Sequence, residues 1–214
     1  MSSRADSPSL LCRIGQDRPQ KVRIPLSMFN IEEFVTDCRA ALKQDRSSAS
    51  IREVVARAIS EPSAVIKALG EPTRAQIQRV YHSPELTILN VTWAPKMTLF
   101  PHNHDMWAVI GIYSGREDNI FWRRLPSDSH RVEAAGAKSI SDKDSVQLGR
   151  DIIHSVTNPL GRLTSAIHVY GGDFFNANRS EWDPESLLER PCDPERIVQI
   201  FEEENYRMAA AARG

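Results

Sequence analysis

The stretch MTLFPHNHDMWAVIGIYSG, residues 97–115, contains two apolar runs on either side of a His-x-His pair. The second run, residues 106–113, is the longest apolar run of the chain, and it is far shorter than the ~20 residues that cross a bilayer. Short runs of β-branched and aromatic residues that end in turn residues, here Ser114 and Gly115, are typical of strands. The stretch therefore predicts two strands with a pair of imidazoles between them.

Similar short apolar runs separated by turn residues occur on both sides of this stretch. Proline, glycine, asparagine and aspartate recur about every ten positions, which is typical of an all-β sandwich or barrel. We predict strands at 77–82, 86–93, 97–101, 106–113, 118–125, 131–140, 145–149, 151–157 and 163–171. The centre of the chain is therefore predicted to be mainly β.

Helical spacing appears before and after this region. A first helix is predicted from Ile31, with Asn30 as its N-cap and Glu33 completing a capping box. A second covers the apolar stripe of residues 51–59, a third covers 60–70, and a fourth covers 194–208. The first twenty residues are predicted to form a loosely held arm. We expect an arm with helices in 1–75, a β-barrel in 76–180 and a tail with a helix in 181–214.

Charge and composition exclude several function classes. The 214 residues carry 27 Lys and Arg against 28 Asp and Glu, a net charge of −1, so we expect neither nucleic acid nor an anionic membrane as a partner. The N-terminus lacks a basic start followed by an apolar stretch, which argues against a secretory signal. Three cysteines, Cys12, Cys38 and Cys192, form no C-x-x-C pair, which fits a reducing compartment. We therefore expect a cytoplasmic protein.

Three histidines indicate a metal site. His102 and His104 are two residues apart, so in a strand they share one face. Two imidazoles on one strand need a third ligand from elsewhere in the sheet, and His154, in the later strand-like segment RDIIHSVTN, is the candidate. Asp105, Glu117 and Asp151 are the carboxylates that could join them, but Asp105 and Asp151 should face away from the pair, and Glu117 lies beyond the turn at Ser114 and Gly115. We therefore predict a centre of three neutral histidines.

A second pair stands on another predicted strand. His168 and Tyr170, in AIHVYGG, also share a face. A histidine bonded to a tyrosine hydroxyl could hold that phenol as a hydrogen-bond donor or proton relay beside the metal. The alternative is that both are core residues with satisfied polar ends.

These motifs resemble the cupin superfamily, and within it the thiol dioxygenases that act on cysteine or 3-mercaptopropionate. PHNH resembles the first cupin motif, HSVTN the second, and AIHVYGG the strand that carries a Ser-x-His-x-Tyr triad; the resemblance covers about residues 81–174. It implies a double-stranded β-helix, or jelly-roll barrel, with ferrous iron held by His102, His104 and His154. It also implies an outer relay of His168 and Tyr170.

Two departures from the family pattern affect the expected site. The serine of the triad falls at Ala166, so the relay would be a dyad. The arginine that anchors the substrate carboxylate in cysteine dioxygenase has no clear counterpart, since the nearest candidates are Arg79 and His82. Trp93 and Trp107 are the expected pocket walls. Other arginines that could clamp a carboxylate are Arg123, Arg124 and Arg162.

The expected function is a mononuclear Fe(II) thiol dioxygenase that uses a small thiol and O2 and gives a sulfinate. One alternative keeps the three-histidine iron and cleaves a β-diketone-like chelator at carbon. Another is a metal-stabilised cupin that binds a small ligand without catalysis.

Overall fold

The structure is a computed structural model that describes residues 29–45 and 47–213. The predicted N-terminal arm and Cys12 lie outside the described residues. The helices are α1 (Ile31–Asp45), α2 (Ser48–Ile59), α3 (Pro62–Leu69) and α4 (Pro194–Ala211). Asn30 caps α1, since its Oδ1 accepts a hydrogen bond from Glu33 N at 3.0 Å, and Pro62 occupies the first turn of α3. No helix in the described part of the chain is long and apolar enough to span a membrane.

Each of the nine predicted strands is present, and its ends lie within three residues of the prediction. They are β1 (Gln76–Ser83), β2 (Leu86–Trp93), β3 (Thr98–Asn103), β4 (Ala108–Ser114), β5 (Arg116–Leu125), β6 (Asp128–Ser141), β7 (Ser145–Leu148), β8 (Ile153–Thr157) and β9 (Thr164–Tyr170). Two further strands were not predicted: β10 (Ser180–Trp182) and β11 (Glu189–Pro191). At three residues each, they are too short to show an alternating pattern.

The strands form two antiparallel sheets. One has the order β1-β2-β9-β4-β7 and the other the order β11-β10-β3-β8-β5-β6. From β2 to β9 the chain passes from sheet to sheet at every connection except the β5–β6 hairpin. This alternation is the double-sheet jelly roll that cupins use. The prediction of a mainly β, cupin-type barrel with helices at both ends is confirmed.

The five-stranded sheet is buried on both faces. Along β2, β4 and β9 nearly every residue is buried, and alternate residues enter two separate cores. The outer face packs against α1 and α2, and Gly111 allows the close approach of α2, because a Cβ there would overlap Val55 Cγ1. The inner face contributes to the barrel core, which also contains Ile197 and Phe201 of α4. Thus α4 closes one side of the barrel interior.

Candidate metal centre and its cavity

The three predicted ligands meet inside the barrel. His102 on β3 pairs in register with His154 on β8, and His104 follows immediately after β3 ends. The register of this pairing shifts between Leu99 and His102, in a segment where Pro101 has no N–H to donate to the ladder. Ligand atoms of the three histidines all lie within 4.8 Å of one another, and all three residues are buried. The cluster could hold a metal ion.

Hydrogen bonds orient two of the three rings toward a common point. His102 Nδ1 lies 3.0 Å from the carbonyl oxygen of Phe100, and His154 Nδ1 lies 2.7 Å from Asn119 Oδ1. Each Nδ1–H donates to its oxygen, which leaves Nε2 bare as the ligand atom. His154 Nε2 is 3.3 Å from His104 Nε2. The tautomers that His102 and His154 need for metal binding are therefore set by the protein.

Burial keeps these imidazoles neutral. It lowers the pKa of His102 to about 4, and burial together with the neighbouring imidazoles holds the pKa values of His104 and His154 well below the ordinary range. A neutral imidazole binds a metal without first releasing a proton. Three imidazoles suit several divalent transition metals, so this donor set fits iron(II) and also other ions of that group.

The three carboxylates considered from the sequence stand apart from the cluster. Asp105 pairs with Arg150 at 3.0 Å, and Asp151 is exposed. Glu117 is fully buried, but its nearest described partners are Trp93 and His168. Within residues 29–45 and 47–213, the ligand cluster consists of the three histidines alone.

A cavity of about 220 Å³ opens beside the histidines. His168 and Tyr170 lie on its wall, and His168 Nδ1 is 3.0 Å from the Tyr170 hydroxyl. The Tyr170 ring centroid lies 5.0 Å from that of His104, which brings the phenol next to the candidate ligands. The other lining side chains are mostly apolar and include Leu89, Val91, Trp93, Leu99, Val156, Phe174 and Ile197.

Of the four residues expected to bind substrate, Trp93 lines the cavity. Trp107 does not, because it packs with the outer core of the sheet and against Gly171. Trp107 lies two residues before Val109, which faces the outer core, and residues two apart in a strand share a face. The sequence therefore already indicates that Trp107 points outward. Arg79 is exposed on β1, and His82 pairs with Asp173 at 2.8 Å outside the cavity.

The arginines proposed as clamps also lie outside the cavity lining. Arg123 pairs with Glu133, Arg124 pairs with Glu189, and Arg162 reaches Ser114. Each guanidinium is therefore engaged on the surface of the barrel.

Arg179 is the functional candidate that sequence reasoning missed. It lies between β9 and β10, is 9% exposed, and lines the cavity with the three histidines. Its guanidinium carbon is 3.9 Å from the Phe174 ring centroid. Its Nε has no hydrogen-bond partner, and no ion pair to it occurs within the described residues. The segment FFNANRS around it shows no periodic pattern, so its position depends on the folded loop.

Solved structures that resemble this chain include cupin proteins. An RmlC-like cupin with a double-stranded β-helix fold from Methanocaldococcus jannaschii is 9% identical, with 50% of this chain and 90% of that chain covered and a TM-score of 0.41. A cupin superfamily protein from Desulfitobacterium hafniense is 10% identical, with 53% and 88% covered and a TM-score of 0.40. Oxalate oxidase in complex with glycolate is 13% identical, with 48% and 53% covered and a TM-score of 0.38.

No protein-family model matches the sequence, and no curated protein matches it significantly. The class of this protein therefore follows from its own strand order and its own site. It is a cupin-type barrel with a buried three-histidine cluster that could hold a metal ion.

Proposed function

We propose that this chain is a mononuclear non-haem Fe(II) thiol dioxygenase that converts a small thiol carboxylate and O2 into the sulfinate. Both oxygen atoms end on sulfur, so the overall reaction needs no further oxidant or reductant. The observation that carries the proposal is the shared cavity, in which three buried imidazoles, a His–Tyr pair and an arginine without an ion partner among the described residues converge.

His102, His104 and His154 would hold the iron. A bound iron(II) would supply the charge that favours a thiolate and the redox chemistry with O2. The three neutral ligands leave the full charge of the ion uncompensated, which favours an anionic substrate. The cavity of about 220 Å³ has the size for a small thiol, and its walls are mostly apolar.

Arg179 would anchor the carboxylate. A guanidinium offers two parallel N–H donors to a carboxylate, and Arg179 is buried without another ion partner in the described part of the chain. Its stacking on Phe174 orients the planar group. No aspartate or glutamate lines the cavity among the described residues, so the ammonium of cysteine or cysteamine would find no counter-charge. We therefore expect a preference for 3-mercaptopropionate over both amines.

The test is oxygen consumption by anaerobically iron-loaded protein with 3-mercaptopropionate, cysteine, cysteamine and acetylacetone, with sulfinate and metal content measured on the same sample. We expect uptake with 3-mercaptopropionate, matched one-to-one by sulfinate. Uptake with acetylacetone alone would favour cleavage of a β-diketone. A full iron site without uptake would favour a binding role.

Arg179→Gln tests the anchor. We expect the KM for 3-mercaptopropionate to rise at least about tenfold, because a charge-assisted pair contributes about 1.5–3 kcal/mol, while the iron content stays unchanged. Arg123→Gln is the matched control, since Arg123 is exposed and pairs with Glu133 outside the cavity. An unchanged KM in Arg179→Gln would contradict the anchor.

A further inference from the structure

A buried carboxylate stands behind the His–Tyr pair. Glu117, on β5, has no exposed surface, and its Oε1 accepts a hydrogen bond from Trp93 Nε1 at 2.7 Å. The same oxygen lies 3.5 Å from His168 Nε2. The carboxylate therefore faces the ring nitrogen that Tyr170 does not use.

One oxygen of Glu117 and the facing nitrogen of His168 lack a hydrogen bond within the described part of the chain. Glu117 Oε2 and His168 Nε2 are both buried without a hydrogen bond among the described residues. A buried carboxylate without an ion partner is strongly unfavourable, and the only basic side chain in ion-pair range of Glu117 within the described residues is His168. The 3.5 Å separation is slightly longer than a direct hydrogen bond, so a small rotation of either side chain completes it.

The two contacts of His168 form one chain. Its Nε2 faces Glu117, and its Nδ1 lies 3.0 Å from the Tyr170 hydroxyl. A carboxylate only accepts hydrogen bonds, and a neutral imidazole carries its hydrogen on one nitrogen. If Nε2 donates to Glu117, Nδ1 must accept, and the Tyr170 hydroxyl must donate to it.

We propose that Glu117 is a positioning residue for Tyr170, which makes the relay a triad of Glu117, His168 and Tyr170. The carboxylate accepts the Nε2–H of His168 and fixes the ring so that Nδ1 accepts the Tyr170 hydrogen. The lone pairs of the Tyr170 oxygen then face the cavity, so Tyr170 accepts a hydrogen bond from the thiol S–H of the entering substrate, opposite to the donor role expected from the sequence. The catalytic role of the triad rests on the proposed function, whereas the direction of its hydrogen bonds does not depend on that function.

Nitrogen-15 NMR of the His168 ring in the zinc-loaded chain tests the direction without any turnover. We expect hydrogen on Nε2 and a bare Nδ1 in the unaltered protein. Glu117→Gln keeps an acceptor oxygen and should keep this tautomer. Glu117→Met removes the acceptor and should move the hydrogen to Nδ1. Hydrogen on Nδ1 in the unaltered protein, or an unchanged tautomer in a folded Glu117→Met chain, would overturn the proposal.

Kinetics with the iron-loaded chain and its best thiol give a second readout. We expect Glu117→Met to lower kcat about 10- to 100-fold with metal content and KM unchanged, and Glu117→Gln to retain most of the rate. In a Tyr170→Phe background, Glu117→Met should cause no further loss, since the effect passes through the phenol. An additive loss would mean a structural role. If no thiol is turned over, the proposed function fails while the NMR result still decides the direction.

Discussion

The two faces of the five-stranded sheet are both buried, yet their polar side chains have different surroundings. On the outer face, Thr92 bonds Ser165 at 3.1 Å, and the Tyr113 hydroxyl donates to Asn90 at 2.7 Å. On the inner face, His168 and Tyr170 line the cavity beside the three histidines. The outer face therefore satisfies its polar groups within the packed sheet, whereas the inner face presents polar side chains to a cavity that can hold a ligand.

The largest effect is expected in the cavity that the inner face lines, at the metal cluster. His154→Ala should abolish metal binding, from about one ion per chain to almost none, because two imidazoles cannot replace the set of three. Metal content after dialysis against a weak chelator measures this. His130→Ala is the matched control, since His130 is exposed on β6. Full metal retention in His154→Ala would refute the site.

A substitution on the outer face should lower the stability of the chain and leave metal binding unchanged. Ile59→Ala should lower the free energy of unfolding by about 2–5 kcal/mol, because Ile59 is fully buried between α2 and β4 near Gly111. Metal affinity should not change. Ile120→Ala, at a residue that is 40% exposed on β5, should change the free energy by less than about 1 kcal/mol. Urea unfolding of the metal-free chain gives the energies, and a metal titration gives the affinity.

A joint loss of stability and of metal affinity in Ile59→Ala would show that the two faces are coupled. The division into a packing face and a ligand face would then be wrong, even though each face keeps its own core.

The sequence was sufficient for the barrel and for the histidines, because both depend on period-two patterns. The strand order brings His154 beside His102, and the i, i+2 spacing of His168 and Tyr170 places them on one face. Arg179 and Glu117 could not be found in this way. Arg179 lies in an irregular loop, and Glu117 reaches His168 across the barrel from the other sheet. Such contacts depend on how two sheets face each other, which no local pattern encodes.

Acid should distinguish the outer face from the cavity by how the free energy of unfolding changes with pH. In the unfolded chain an imidazole titrates near pH 6.5, whereas burial lowers the pKa of His102 to about 4 in the folded state. As pH falls below 6.5, the unfolded chain takes up protons that the folded chain does not, so the free energy of unfolding decreases. The decrease is at most about 1.4 kcal/mol per pH unit for each such histidine, and the contribution of His102 stops near pH 4.

Urea unfolding of the metal-free chain between pH 7 and pH 4.5 measures this slope. His102→Gln should make the slope shallower, because one buried imidazole no longer resists protonation. Ile59→Ala should lower the whole curve without changing its slope, because the outer-face side chain does not titrate. Equal slopes in the unaltered chain and His102→Gln would mean that His102 is protonated as easily in the folded state as in the unfolded state. The cavity would then lack the neutral imidazole at His102 that metal binding requires.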